Sequence, residues 1–264
     1  MRRVTPKVFL IGESHLDQAA LREYLAHVGP EALAWSSRDE DALNRSSSET
    51  LVEAMGRLCY RSWAPGLNPN VTKVRTDHTE YIGNILRSGH GSVIEHPVSH
   101  WIFADVSRVF THEFVRHRAG TAFSQESLRY VRLTDLGLWL PYEVEASAEA
   151  RGLFEETFRT LEELQRRLAR IYGLDDEKKF ATKKAVTSAM RRVAPIGLAT
   201  TIGATLNMRA LRHVLTMRSD GAAETEMRLV FGLVGEIAKA RWPSLFQDFE
   251  RQTDGWWRPE HLKV

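Results

Sequence analysis

Apolar residues along the chain recur at two periods. The run Lys7–Ile11 is short, apolar and of strand length, and it is read as a buried strand. Asp17–His27 follows with helical turns. In Leu51–Tyr60 the residues Leu51, Val52, Met55, Leu58 and Cys59 fit one face of a helix, and Asp77–Ser88 repeats the pattern with Tyr81, Ile82, Ile85 and Leu86 before Gly89 stops it. Pro97–Val106 is aromatic and β-branched, which predicts a strand. Val106–Arg118 turns helical with Val109, Phe110, Phe114 and Val115 inward, and Leu128–Leu133 reads as a further short strand. Ala146–Tyr172, rich in Glu, Arg and Leu, predicts a long surface helix, and Asp176–Arg191 a second one broken before Pro195. Leu198–Leu206 suits a strand, while Asn207–Arg218 and Ala222–Ala240 return to helical spacing. The polar run Ser36–Asn44 and the serines Ser46–Ser48 mark a linker or loop that closes an N-terminal extension, residues 1–45. This order is neither a regular β-α alternation nor all-helical, so the predicted class is α+β, a mixed sheet with flanking helices.

Composition narrows the function more than the fold. With 264 residues, 43% hydrophobic and 27% charged, the chain can bury a substantial core as one large domain or two small ones. Lys and Arg number 36 against 34 Asp and Glu, and a net charge of +2 gives no global drive toward nucleic acid or membranes. Anion recognition must then come from local clusters. The only cysteine is Cys59, which excludes an intramolecular disulfide framework and a multi-cysteine zinc site and suits a reducing cytoplasm. The opening MRRVTPKVFLIGESH has too short an apolar run for a signal peptide, and no stretch reaches the 18 or so apolar residues of a membrane span.

The densest chemistry is Arg116-His117-Arg118, followed after eight residues by Ser127-Leu128-Arg129-Tyr130. Guanidinium forks pair bidentately with phosphate oxygens, so this stretch is a phosphate receptor in waiting. The bland alternative is a solvated face whose arginines pair with Glu113 and Glu126. Interleaved Phe114, Val115, Phe123 and Tyr130 favour a cleft wall, because a solvated face has no need of them.

RHRAGTAFSQESLRY resembles the signature of the flavin-dependent thymidylate synthases, Arg-His-Arg, a spacer, then Ser-x-Arg. Family members commonly have seven spacer residues where this chain has eight, so Ala119–Glu126 is expected to form an enlarged, bulged loop. Cys59-Tyr60-Arg61-Ser62, then Gly89-His90-Gly91-Ser92 with Glu95-His96, and downstream Arg191 with Pro195, Asn207-Met208-Arg209, His213 and Arg218, are similar to further family landmarks in the same order. The likeness runs from about Leu51 to Trp242 and implies a catalytic domain over 46–264.

It implies a homotetramer whose active sites lie between subunits, with FAD across the interfaces. Arg116, His117 and Arg118 would contact the flavin, and Ser62, His90, Ser92, Gln125, Asn207, Arg209 and His213 would complete its pocket. Glu113, Gln125, Ser127, Arg129 and Arg191 would bind dUMP, with Ser127 and Arg129 on its phosphate. Arg218 would face the uracil carbonyl, where a fixed cation stabilises developing negative charge, and His90 would stand at the nicotinamide or folate side. Taken alone, Ser62 and Ser92 read as helix caps, His90 as a partner for a helix C-terminus, and Arg218 as a solvated helix residue. The implied reaction methylates dUMP to dTMP, with methylenetetrahydrofolate as carbon donor and NADPH as reductant through FAD. Cys59, expected to be buried beside Leu58, is ill suited to act as a nucleophile, in keeping with a family that needs none.

Two rival readings fit the same residues less well. The histidines of His112–His117 are five apart, whereas a zinc-protease helix needs them four apart on one face, and His90, His96, His100 and His112 lack tight ligand spacing. A nucleic-acid-binding module could use the Arg-His-Arg patch with Phe123 and Tyr130 as stacking platforms, but a mononucleotide explains the same arginines with fewer assumptions.

Overall fold

The structure is a computed structural model that describes residues 1–37, 46–177 and 179–264. Its strands are β1 (Arg2–Arg3), β2 (Lys7–Glu13), β3 (Val98–Ser107), β4 (Thr121–Gln125), β5 (Gly137–Leu138), β6 (Ala199–Asn207), β7 (Phe249–Arg251) and β8 (Trp257–Pro259). Its helices are α1 (Gln18–Val28), α2 (Pro30–Leu33), α3 (Ser47–Tyr60), α4 (His78–Arg87), α5 (Arg108–Phe114), α6 (Tyr142–Glu145), α7 (Ala148–Ile171), α8 (Phe180–Met190), α9 (Met208–Arg218) and α10 (Thr225–Arg241). Among the described residues no helix is long and apolar enough to cross a membrane.

Burial alternates along the two central strands. On β6 Ile202, Ala204 and Leu206 are buried while Thr201, Gly203 and Thr205 are not, and on β3 Trp101 and Phe103 point the same way. One face is therefore covered and the other partly solvated, the signature of antiparallel pairing. The main sheet has the order β2-β3-β6-β4 with every neighbour antiparallel. The expected mixed sheet is corrected to this extent: among the described residues, the parallel pairing is the two-residue ladder of β1 with β5, outside the main sheet. Residues from α3, α4, α5, α9 and α10 fill the core on the covered face, and α7 packs over a smaller cluster around Leu133, Leu136, Leu138 and Leu140.

Helix starts follow local side-chain chemistry. Asp17, Ser46, Asp77, Ser107, Ser147 and Asn207 each accept a hydrogen bond from the backbone N–H three residues on. Such a cap contributes about 1 kcal/mol. Ser46–Ser48, expected in a linker, thus cap and begin α3, and the rest of that linker from Arg38 to Arg45 lies outside the described residues.

Helix α5 is short but firmly seated. Phe114 lies 4.9 Å from Phe123, 5.2 Å from Phe103 and 5.4 Å from Phe231 between ring centroids, and both it and Phe110 are fully buried. Each such burial stabilises by about 1.5–3 kcal/mol. Because α5 ends at Phe114, Arg116–Arg118 lie beyond it and not on it, contrary to the helix expected through Arg118.

Three further expectations are corrected. The segment Ala119–Glu126 is not an enlarged loop: Gly120 turns at φ 68° and Thr121–Gln125 pairs in unbroken register with Leu206–Ile202. Leu128–Leu133 is not a strand, because the N–H groups of Tyr130 and Val131 turn back to the Ser127 carbonyl. On α3 the inward face carries Glu49, Val52, Glu53, Gly56 and Arg57, while Leu58 and Cys59 are exposed. Hydrophobic spacing misplaced that face because the buried stripe is partly ionic: Glu53 Oε1 accepts from Arg57 Nε at 2.8 Å, and its other oxygen meets His78 Nδ1.

Candidate functional site

The Arg-His-Arg segment and α9 are brought together by a hydrogen bond between strands and turns. Asn207 donates its N–H to the Gly120 carbonyl at 2.9 Å, and its Oδ1 caps α9 through the Ala210 N–H at 2.8 Å. A Cβ on Gly120 would lie 2.5 Å from Asn207 Nδ2, so glycine is required there by space as well as by φ. Asn207 is therefore structural through its oxygen, and its Nδ2 is the atom left for a ligand.

At the far end of α9, Arg218 joins two other candidates. Its Nη1 donates to Glu113 Oε2 at 2.8 Å and its Nε to His117 Nε2 at 2.7 Å. His213, five residues back on α9, lies 6.2 Å from His117 between ring centroids. Burial, then the charges of Arg218 and His213, push His117 down from 6.5 to about 4. The imidazole is thus neutral near pH 7 with its proton on Nδ1, because Nε2 accepts from the guanidinium. Gln125, on β4, donates to Thr111 Oγ1 at 2.9 Å, two residues before Glu113 on α5.

A second group lines a cavity of about 340 Å³ between α3 and α4, with Ser62, His90 and Ser92 joined by Cys59, Tyr60, Lys73, Arg75 and Tyr81. His90 stacks on Tyr60 at 5.7 Å and lies 3.3 Å from its hydroxyl. Neither Ser62 nor Ser92 caps a helix: Ser62 follows the left-handed Arg61 that ends α3, and Ser92 sits inside a 3-10 turn, Gly91–Glu95. Arg209 reaches this turn from α9, pairing with Glu95 at 2.6 Å and lying over Gly91, where a Cβ would come within 2.6 Å of its Nε.

A third group forms a basic cleft of about 380 Å³ lined by Arg108, Leu128, Ser188, Arg191 and Arg192. Ser127 and Arg129 flank Leu128 in a turn in which Ser127 Oγ accepts from the Arg129 N–H at 3.3 Å. Arg116, Arg118, Arg129 and Arg191 are exposed, and among the described residues none has a carboxylate within ion-pair distance. The alternative in which Glu113 and Glu126 neutralise the patch does not describe it: Glu113 holds Arg218, and Glu126 accepts from the Thr201 N–H at 3.0 Å. Sequence reasoning passed over Arg108, although it stands one and two helical repeats (i+4, i+8) before His112 and Arg116.

Within one chain the candidates thus occupy three places, a guanidinium-imidazole cluster, a mixed cavity and a basic cleft. Together they give an α+β protein guanidinium forks of the geometry that suits phosphate and a cavity with an aromatic wall. The family model described as Thymidylate synthase complementing protein (Thy1) matches residues 43–244. A flavin-dependent thymidylate synthase of Mycobacterium sp. (strain JLS) is 35% identical over 208 residues, covering 76% of this chain and 79% of that protein. The enzyme of the same description from Corynebacterium diphtheriae is 32% identical over 213 residues, covering 78% and 80%. Among solved structures, the UMP/dUMP methylase PolB from Streptomyces cacaoi, bound with 5-Br UMP, superposes with a TM-score of 0.62 at 16% identity, covering 91% of this chain and 92% of that one. Thymidylate synthase X from Helicobacter pylori, with FAD and dUMP, gives 0.54 at 21%, covering 76% and 93%. The chain belongs to the flavin-dependent thymidylate synthase family. These matches lend no support to the nucleic-acid alternative.

Proposed function

We propose that this protein methylates dUMP to dTMP, using FAD, NADPH and methylenetetrahydrofolate, in a cytoplasmic homotetramer whose sites are completed between subunits. The observation that carries the reading is Arg218, held between Glu113 and a neutral His117 beside exposed arginines that have no counter-ion among the described residues. A fixed guanidinium costs no reorganisation when charge develops on a pyrimidine carbonyl.

The residues fit FAD. Ser62, His90 and Ser92 line a cavity with a stacked aromatic wall, and Arg116 and Arg118 offer forks for its diphosphate. Nδ2 of Asn207, Arg209 and His213 would complete that pocket, and Gln125 would reach it from β4. When bound, FAD supplies hydride transfer between reductant and nucleotide. The chain's own part is to bind and orient: Ser127, Arg129 and Arg191 hold the nucleotide's phosphate, Glu113 and Gln125 its polar edge, and Arg218 its carbonyl. His90, supported by Tyr60, faces the folate or nicotinamide side. The catalytic domain is assigned to residues 46–264, and residues 1–45 lend it β2, the strand that pairs with β3 in the main sheet. The tetramer is supported by the separation of the candidates into three places, and by the exposed Leu153, Phe154 and Ile196 around one apolar hollow.

The test is tritium release from 5-tritiated dUMP. Release that requires NADPH, FAD and methylenetetrahydrofolate together supports the reading, and a protein that binds neither FAD nor dUMP overturns it. Light scattering at the mass of a single chain would remove the tetramer.

A further inference from the structure

A hollow of about 540 Å³ opens between α7 and the start of α10, and none of the candidate residues of the three places described above lines it. Its walls are apolar, with Trp139, Leu140 and Phe158 beside the exposed rim of Leu153, Phe154 and Ile196. Two carboxylates interrupt that lining, Glu224 and Glu226 at the start of α10. An apolar subunit surface could cover the rim, but it would leave these two charges unanswered.

Among the described residues neither carboxylate has a cation within ion-pair distance. Glu226 is 1% exposed, and its partners are neutral: Oε1 accepts from the Ser107 N–H at 2.6 Å and Oε2 from the Ser107 hydroxyl. Glu224 caps α10, its Oε2 accepting from the N–H groups of Glu226 at 2.8 Å and Met227 at 3.2 Å. Burial pushes Glu226 up from 4.5 to about 7; the bonds from Ser107 oppose the rise and the charge of Glu224 adds to it. Among the described residues α5, α7 and the turns at Pro141 and Pro195 bring no further titratable group to the lining.

Two carboxylates that share an apolar hollow without a counter-charge are costly to keep ionised. An ammonium group brings three donors and the missing charge, and the body that carries it would bury the apolar walls. The volume lies in the range of small-molecule sites, roughly 300–1,000 Å³. We propose that this hollow binds a small organic amine, with its ammonium between Glu224 and Glu226 and its apolar body against Trp139, Phe154 and Phe158. The site uses no residue assigned to FAD, dUMP or folate, so it stands or falls apart from the proposed reaction.

The test is calorimetry on the full-length protein with three probes of one shape, phenylbutylamine, phenylbutanol and phenylbutyrate. The amine should bind about 10-fold or more tighter than the alcohol, as one charge-assisted hydrogen bond requires, and the carboxylate should bind weakest. From pH 6 to pH 8 the amine should tighten by up to about 10-fold as Glu226 loses its proton, while the alcohol stays level. Glu226→Gln should bring amine and alcohol to within about 3-fold of each other. Gly197→Leu keeps both carboxylates and fills the hollow, since a Cβ there meets Phe158 at an ordinary 3.6 Å, and it should abolish binding of all three probes. Equal affinity for amine and alcohol in the native protein would overturn the proposal, because the carboxylates would then play no part. Amine binding that survives Gly197→Leu would place the amine elsewhere. No binding of any probe, with a mass by light scattering that falls in Gly197→Leu, would give the hollow to a second copy of the chain and overturn the proposal as well.

Discussion

Arg212 and Arg218 stand on the same helix, yet they belong to different kinds of region. Arg212 is buried, holds both oxygens of Asp248 at 2.8 Å and donates to the Leu245 carbonyl at 2.5 Å. Arg57 is its counterpart across the core, fully buried, paired with Glu53 and donating to the carbonyls of Ser62 and Arg75 at 2.7 Å each. In the basic cleft and the Arg-His-Arg segment, Arg116, Arg118, Arg129 and Arg191 have no carboxylate within ion-pair distance among the described residues. Arg218 is intermediate, paired with Glu113 but with its side chain 19% exposed. The difference teaches that an arginine whose charge the fold has already answered serves the fold. One left unanswered beside a cavity is kept for a ligand.

Breaking a paired arginine should have the largest effect. Asp248→Ala leaves the Arg212 guanidinium buried without its carboxylate, which costs about 3–5 kcal/mol. A fall in Tm of roughly 10 °C is expected from the entropy of unfolding of a chain this size. A shift of only a degree or two would mean that Arg212 finds water, and would dissolve the distinction between the two regions.

Removing an unanswered arginine should act on the ligand instead. Arg129→Ala is expected to weaken dUMP by roughly 10- to 100-fold, one charge-assisted phosphate contact, with FAD retained. Calorimetry that returns the native dUMP affinity would take Arg129 out of the site.

The intermediate case sharpens the comparison through pH. His117 in the folded chain sits near 4, below its ordinary 6.5, so between these values the unfolded chain binds more protons than the folded one. Stability from this residue is therefore complete above about pH 6.5 and declines as pH falls through the window toward 4. Urea midpoints followed from pH 7 to pH 4 should fall less steeply in His117→Gln, whose amide oxygen can still accept from Arg218. Equal slopes in the two proteins would show that burial and the Arg218 charge do not hold the His117 imidazole neutral.

How much of this was legible in the sequence depends on which signal each feature left. The central strands were, because Trp101, Phe103, Ile202 and Leu206 bury one face of an alternating pattern. The inner face of α3 was not, since Glu53 and Arg57 point inward and spacing rules count only apolar residues. Strand β4 was hidden in what the spacer of the Arg-His-Arg motif made a loop, because its two hydrogen-bonding edges differ: one is the sheet's rim, and its pairing with β6 spans a long separation in sequence. The candidate residues could be named from Arg-His-Arg and Ser-x-Arg, but their grouping could not. That Glu113, His117 and Arg218 meet follows from Asn207 anchoring α9 beside Gly120, a tertiary contact with no local mark.

The smallest effect expected is the most direct test of the division. Arg116 and Arg118 lie on the surface beyond α5 and among the described residues touch no carboxylate, so Arg116→Gln and Arg118→Gln should each change folding stability by no more than about 0.5 kcal/mol. If these guanidiniums are reserved for the flavin's diphosphate, the same substitutions should increase FAD release in dilution experiments, with the yellow colour lost on a desalting column that the native protein survives. A destabilised variant that keeps its flavin would invert the argument, since it would place Arg116 or Arg118 with Arg212, among the cations the fold needs for itself.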